Sequence, residues 1–388
     1  MNGLLVWLLA VMMLIGHGGM HIAAYNRING FGWHRKIVKS IVKFFLLTTI
    51  AIPLAILSFE HEAIRALLFR SGPWDALTSW TRAYGLLCLS SWIFLGIPWL
   101  IWRPIFRLEW IDAPRKISVV DVAKVVDHPL PLTTKARFES RLPFNQLLEL
   151  SIEEIELPVV GLPNGLDGYR IAHVSDIHLT GEIHADYTKY AMRRATAARP
   201  DLIALTGDII DKQPCIEWLV DIFSPADAPD GCFFILGNHD TRIVDSWETR
   251  RAMDQAGWID LGSESLRRSL RGVECEVIGN EYPWFGRPEL EPIGDQFRLL
   301  LSHSPDQLPW ARKHKVHLML AGHTHGGQGR LPLAGPLLSP SFHGSRYASG
   351  DFYKSPTTMH VTRGISGVHL LRINCRPELS LLTLRKAD

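Results

Sequence analysis

Apolar residues follow two different rhythms along this chain. Up to about residue 110 they come in long unbroken runs, and from about residue 149 they come in short bursts separated by polar and glycine-containing turns. Three of the long runs, Leu4–Ala24, Ile41–Phe59 and Tyr84–Trp102, approach the ~20 residues that a helix needs to cross a bilayer. The first holds His17 and His21 but no formal charge, the second has Lys43 near its start and Pro53 inside, and the third is free of charge throughout. A cleaved leader would account for the first run alone. Trp80, Trp99, Trp102 and Trp110 stand where interfacial aromatics are expected. The pattern predicts three spans in residues 1–110, with one span plus interfacial segments as the rival reading. His17 and His21 lie one turn apart on one helix face and read as a helix–helix contact or as interfacial polar residues rather than a ligand pair.

Residues 111–148 mix charge with Pro114, Pro129, Pro131 and Pro143 and read as a juxtamembrane connector carrying short helices. In residues 149–388 the periodicity predicts strands at Leu150–Pro158, Tyr169–Ser175, Leu202–Thr206, Cys232–Leu236, Arg298–Ser302 and Val316–Ala321. A helix is predicted over Asp186–Arg199, stopped by Pro200, and several more strands between Tyr347 and Leu384. Strands alternating with helices imply an α/β core, and the strand-rich end implies a mixed sheet system.

Charge adds a direction. The segments after the first and third runs carry Arg27, Arg35, Lys36 and Lys39, and Arg103, Arg107, Arg115, Lys116 and Lys124, more than the segment holding Arg65 and Arg70. By the positive-inside rule the large C-terminal region faces the cytoplasm, in a multi-pass protein of the cell inner membrane. Lys plus Arg (41) nearly balances Asp plus Glu (39), so no nucleic-acid partner is expected. The five cysteines are scattered without a Cys-x-x-Cys pair, which argues against a disulfide framework or a thiolate zinc site.

The predicted strands run into polar clusters. The first ends in Asp176-Ile177-His178, where extended chain would point both side chains to one side. The second ends in Gly207-Asp208, with glycine permitting close backbone approach and Asp208 offering an oxygen to each of two ions. Asn238-His239-Asp240, His303, and Gly322-His323-Thr324-His325-Gly326-Gly327 follow. Oxygen and imidazole donors without thiolate suit manganese, with iron and zinc also compatible. Two ions ~3.5–4 Å apart would bind a phosphate oxygen and activate water for an in-line displacement.

These five fragments in this order resemble the calcineurin-like metallophosphoesterases over residues 150–388. The resemblance implies a four-layer αββα sandwich, here preceded by the transmembrane region, and a two-metal hydrolase of phosphoester or pyrophosphate bonds acting through a metal-bridging hydroxide. Carried over by position, Asp176, His178, Asp208 and His325 would hold one ion, and Asp208, Asn238, His303 and His323 the other. His239 would protonate the leaving oxygen or steady the phosphate, and Asp240 would set its tautomer. The run ending at Gln328, with Arg363-Gly364-Ile365 and Arg376-Pro377-Glu378, resembles a bacterial membrane-anchored branch. That branch includes a hydrolase of UDP-2,3-diacylglucosamine in lipid A synthesis, so a lipid-linked phosphorylated substrate is expected. Three spans depart from the single anchor common there. A phosphodiesterase on soluble nucleotides and a non-enzymatic membrane sensor or scaffold are the alternatives. His173 reads as a core residue, His184 as solvated, and Arg363 and Arg376 as structural. His343, Arg346 and Tyr347 are candidates for phosphate contact.

Overall fold

Alternate side chains of the short strands enter different apolar layers, and that alternation builds the C-terminal region. The computed structural model describes residues 3–70, 72–103, 105–291, 294, 296–367 and 369–387, so the outermost residues of the two expected end regions, 1–2 and 388, lie outside the description. The chain divides into two units, Met1–Leu108 with Leu333–Arg346, and Glu109–Pro332 with Tyr347–Asp388.

The first unit is helical. It comprises α1 (Gly3–Asn29), α2 (Arg35–Phe59), α3 (His61–Arg70), α4 (Ser79–Ser91) and α5 (Ile97–Trp102), the last two joined by a π-helical turn at Trp92–Gly96. The stretches Gly3–Asn29, Arg35–Phe59 and Ser79–Trp102 are long and apolar enough to cross a membrane. α3 occupies what the sequence suggested was a charged loop; Glu60 ahead of it is bound by Thr78 and Thr81. α1 meets α4 closely at Gly16, where a Cβ would collide with the Cys88 carbonyl. His17 bonds Tyr84 Oη at 2.5 Å and the Thr49 carbonyl at 2.9 Å, and His21 bonds Thr48 Oγ1 at 3.1 Å, so both histidines tie helices together. The segment Leu333–Arg346 packs on this unit. Asn26 donates to the Leu337 carbonyl and accepts from the Ser339 amide, both at 2.8 Å. Trp99 donates to Ser345 Oγ, and Arg346 lies over the Trp102 ring.

The second unit holds two mixed sheets. Its strands are β1 (Arg115–Asp121), β2 (Glu149–Val160), β3 (Arg170–Val174), β4 (Leu202–Thr206), β5 (Cys232–Ile235), β6 (Ile259–Asp260), β7 (Ser265–Leu270), β8 (Val273–Asn280), β9 (Phe297–Ser302) and β10 (Leu318–Ala321). The C-terminal part adds β11 (Gly350–Lys354), β12 (Thr357–Val361) and β13 (Glu378–Ala387). One sheet runs β1-β2-β13-β3-β4-β5-β6 and the other β11-β12-β10-β9-β8-β7. In the first, β3, β4, β5 and β6 are parallel neighbours; in the second, β8, β9, β10 and β12 are.

Leu202 and Ala204 of β4 join Leu299 and Leu301 of β9 and Leu318 and Leu320 of β10 in an apolar layer between the sheets. After α6 (Thr134–Glu139) come α7 (Ala185–Ala197), α8 (Leu219–Phe223) and α9 (Ser246–Gln255), and the alternate residues Ile203 and Leu205 face a second layer with Met192 of α7, Phe223 of α8 and Met253 of α9. Leu300 and Met319 face a third layer with Ala311 of a helix at Leu308–Lys313. Three apolar layers need four structural layers, which is the αββα sandwich expected above.

Residues 111–148 differ from the expected connector. They belong to the second unit, where β1 pairs along its full length with β2, and Val122, Leu130 and Ala136 are fully buried. β1 is an edge strand with a largely exposed, mixed-charge face, so it lacks the alternation that reveals a half-buried strand. β7 is camouflaged in the same way by its exposed arginines. All five cysteines are free and buried.

Candidate metal centre

Each candidate side chain stands just beyond the C-terminal end of a strand. β3, β4 and β5 lead to Asp176 and His178, to Asp208, and to Asn238 and His239; β9 and β10 lead to His303 and to His323 and His325. Parallel strands deliver their ends to one edge, which is where open α/β sheets place ligands. Asp176 and His178 do not lie in the extended chain expected of them, because β3 stops at Val174. Asp176 (φ 53°), His178 (φ 50°), Asp208 (φ 53°), His323 (φ 69°) and His325 (φ 50°) all adopt the left-handed region. Each such non-glycine residue costs of order 1–3 kcal/mol, and strain of this kind gathers where geometry serves function. Gly207 (φ 87°) allows the close approach expected of it: a Cβ there would lie 2.7 Å from the Gly237 amide nitrogen.

The donor atoms form two groups that share Asp208. In one, Asp176, His178, Asp208 and His325 converge; in the other, Asp208, His303 and His323 do. His178 Nε2 lies 3.5 Å from Asp208 Oδ2 and 3.1 Å from His325 Nε2. His303 Nε2 lies 3.3 Å from Asp208 Oδ1 and 3.1 Å from Asn238 Oδ1, which brings Asn238 to the second group. The imidazoles are oriented from behind. The Thr206 carbonyl accepts from His303 Nδ1 at 2.7 Å, the Ser366 carbonyl from His325 Nδ1 at 3.2 Å, and Asp211 from His178 Nδ1 at 2.7 Å. Once neutral, His178 and His303 with the proton on Nδ1 present an Nε2 lone pair to the cluster, as metal-ligating histidines do, while Arg372 also approaches His325 Nδ1 at 3.3 Å.

His239 and Asp240 are arranged differently from expectation. Both Asp240 oxygens serve the main chain, accepting from the amides of Ile209, Ile210 and Gly237 at 2.7–3.3 Å, so Asp240 braces the loops and does not orient His239. Asp211 takes that place, bonded to His239 Nδ1, while Arg242 reaches His239 Nε2 and bonds Asp211 at 2.7 Å. Sequence reasoning missed Asp211 and Arg242. Their signals are faint: a second carboxylate three positions after Asp208, and an arginine one turn after His239. Trp284, also unforeseen, packs its half-buried ring on His303 and His323 at centroid distances of 5.5 and 4.8 Å.

Electrostatics distinguish this cluster from an ordinary buried network. Burial alone would lower His303, but the carboxylates of Asp208 and Asp176 push it up to about 9. Burial holds His323 and His325 well below the usual imidazole value, reinforced by His303 and His178 respectively. Burial lowers His239 to about 4 against the pull of Asp208, and burial together with Asp208 raises Asp240 to about 7. Burial would raise Asp208, yet His303 and His239 hold it well below the carboxylate range. Asp208 Oδ2 and His323 Nε2 are buried without any hydrogen-bond partner. Unsatisfied buried polar atoms carry a desolvation penalty of roughly 1–3 kcal/mol each. The Nε2 atoms of His178 and His325 lie 3.1 Å apart beside that carboxylate. The residues present therefore fit divalent cations, which would take up imidazole lone pairs and the carboxylate charge together.

The remaining candidates lie elsewhere. His173 is fully buried and bonds Thr206 Oγ1 at 2.9 Å, a core contact. Tyr347 bonds Glu109, and His343 and Arg346 fall in the helical unit. Arg363 pairs with Glu153 and Glu378, and Arg376 with Glu149.

Residues 169–327 match the family described as calcineurin-like phosphoesterase. An uncharacterized metallophosphoesterase of Bacillus subtilis, YkuE, is 31% identical over 237 residues, covering 58% of this chain and 82% of its own. A Bos taurus transmembrane protein with a metallophosphoesterase domain is 25% identical over 346 residues, covering 82% of this chain and 74% of its own. The UDP-2,3-diacylglucosamine pyrophosphatase LpxG of Chlamydia muridarum is 24% identical over 277 residues, covering 56% of this chain and 84% of its own.

Proposed function

The chain belongs to the calcineurin-like metallophosphoesterases and is a phosphoester hydrolase, and on that footing we propose that it uses two divalent cations to cleave a phosphoester or pyrophosphate bond in a lipid-linked substrate at the cytoplasmic face of the cell inner membrane. The observation that carries the two-cation reading is the pair of facing imidazole nitrogens beside the unsatisfied Asp208 Oδ2 and His323 Nε2. Asp176, His178, Asp208 and His325 would hold one ion, and Asp208, Asn238, His303 and His323 the other, with manganese the best match to these donors. Such ions polarise phosphoryl oxygens and lower the pKa of bound water.

The chain's own groups do the rest. Asp211 accepts from His239 Nδ1 and so turns His239 Nε2 outward, where Arg242 meets it. An anionic phosphoryl group arriving there would draw the Arg242 guanidinium onto its oxygens and raise the His239 pKa from about 4, increasing the imidazolium fraction that protonates a leaving oxygen.

Three features support the lipid-linked substrate. Helices long and apolar enough for a bilayer stand on the same chain. The segment Leu333–Arg346, which follows the His323–Gln328 loop closely in sequence, groups with those helices. One relative is a pyrophosphatase of UDP-2,3-diacylglucosamine. The test is hydrolysis by the full chain in detergent with manganese, comparing UDP-2,3-diacylglucosamine with UDP-glucose and bis-p-nitrophenyl phosphate. Preference for the acylated compound by at least tenfold in kcat/KM supports the proposal. Equal rates on the soluble compounds would assign the helices to localisation alone.

A further inference from the structure

A second cluster of donors lies outside the Asp208 groups and shares no residue with them. His128, His184 and Asp186 bring three ligand atoms within 4.8 Å of one another. They come from two segments joined by main-chain bonds. His128 precedes Leu130, whose carbonyl accepts from the His184 amide at 2.8 Å, and the Leu132 amide donates to the Glu182 carbonyl at 2.8 Å. Pro131 and Ile183 form a β-bridge between these bonds. The short ladder presents the two imidazoles on one side, with ring centroids 4.4 Å apart.

Asp186 Oδ2 stands between the imidazoles, 2.7 Å from His128 Nε2 and 3.5 Å from His184 Nδ1. Lys189 approaches the other oxygen, Oδ1, at 3.6 Å, leaving Oδ2 to the histidines. All three residues are partly exposed, so an ion can enter from solvent. We propose that His128, His184 and Asp186 form a peripheral site for a borderline divalent cation of the zinc class, clasping the segment around His128 to the start of α7.

The chemistry and the distances agree. Two imidazoles and a carboxylate with one position left for water make a familiar tetrahedral zinc set. Ligand atoms ~2.1 Å from a tetrahedral ion lie about 3.4 Å from each other. The His184–Asp186 separation already has that value, and the His128–Asp186 pair needs to open by less than 1 Å. His184 Nδ1 now accepts from the Asp186 amide at 3.2 Å, so a cation would compete for that lone pair. Without a cation the same residues form an ordinary ion pair, which is the outcome the test must separate.

The experiment is zinc content of the full chain in detergent after equilibration with micromolar zinc and removal of free ion. The expected result is one equivalent per chain lost in the His128→Gln/His184→Gln variant, with phosphodiesterase activity within twofold of wild type. Asp208→Asn should keep that equivalent, which separates this site from the catalytic one. Asp186→Asn, similar in volume, serves if the double variant does not fold, and should retain zinc at least tenfold more weakly. A full wild-type zinc complement in either folded variant overturns the proposal.

Discussion

The two units put their buried polar groups to different uses. In the helical unit, α2 buries none of its side chains, and Leu46, Leu47 and Ile50 remain 59–66% exposed, as suits helices solvated by hydrocarbon. Buried polar atoms there tie helices and segments together: both His17 nitrogens and both Asn26 side-chain polar atoms have partners, although Ser339 Oγ has no hydrogen-bond partner. In the catalytic unit the apolar residues fill three closed layers, while Asp208 Oδ2 and His323 Nε2 are buried and unmatched. Burial of a polar group therefore says little by itself. A satisfied group builds structure, whereas an unsatisfied one among converging lone pairs points to a missing ligand.

Five substitutions sharpen that contrast. The largest effect belongs to Asp208→Ala, which removes the carboxylate shared by both donor groups. On the proposed two-cation reading, hydrolysis should fall by about 10³-fold or more, since bound ions would supply several kcal/mol of transition-state stabilisation. Metal analysis on the same sample should show the loss of bound manganese; activity near wild type would dissolve the assignment.

Next comes Arg363→Met, which removes the arginine paired with buried Glu378 and leaves buried Glu153 with Arg115 alone. Breaking such a pair costs about 3–5 kcal/mol, read as a lowered denaturation midpoint. Burial would raise Glu378, but Arg363 holds it below the ordinary range. Its stabilisation is complete above the unfolded glutamate value of about 4.3 and disappears as pH falls through the lower folded value, and the variant should lose that acid-side slope.

Asp211→Asn should reduce kcat by about 10–100-fold, as for other partners that orient functional imidazoles, with little change in stability. Asp240→Asn should reverse the pattern by lowering stability more than kcat, because its oxygens hold three main-chain amides. Similar profiles for the two variants would erase the distinction drawn between them. The smallest effect is His17→Phe. Losing an interhelical bond in the membrane unit costs about 1 kcal/mol, measured by unfolding in mixed micelles, with kcat on a soluble diester unchanged.

Much of this was legible from residue order. Apolar runs of bilayer length need no tertiary information, because a spanning helix satisfies its own backbone. Strands such as Leu202–Thr206 declared themselves because both faces are buried, and the polar residues after them marked the site because function there overrides local propensity. The edge strand β1 stayed hidden, since its neighbour β2, not its own composition, makes it a strand. Asp211 stayed hidden for a related reason. Nothing local distinguishes it from Asp240 as the partner of His239, and which carboxylate reaches the imidazole depends on how the loops after β4 and β5 fold against each other.

Sequence alone thus determined the kinds of donor, their order and the apolar helices ahead of them, because these are properties of single residues and short periods. Tertiary structure decided which lone pairs meet, which carboxylate orients His239, and that Leu333–Arg346 groups with the helices. Those outcomes turn on left-handed backbone at five site residues and on contacts between segments far apart in the chain, neither of which any local pattern encodes.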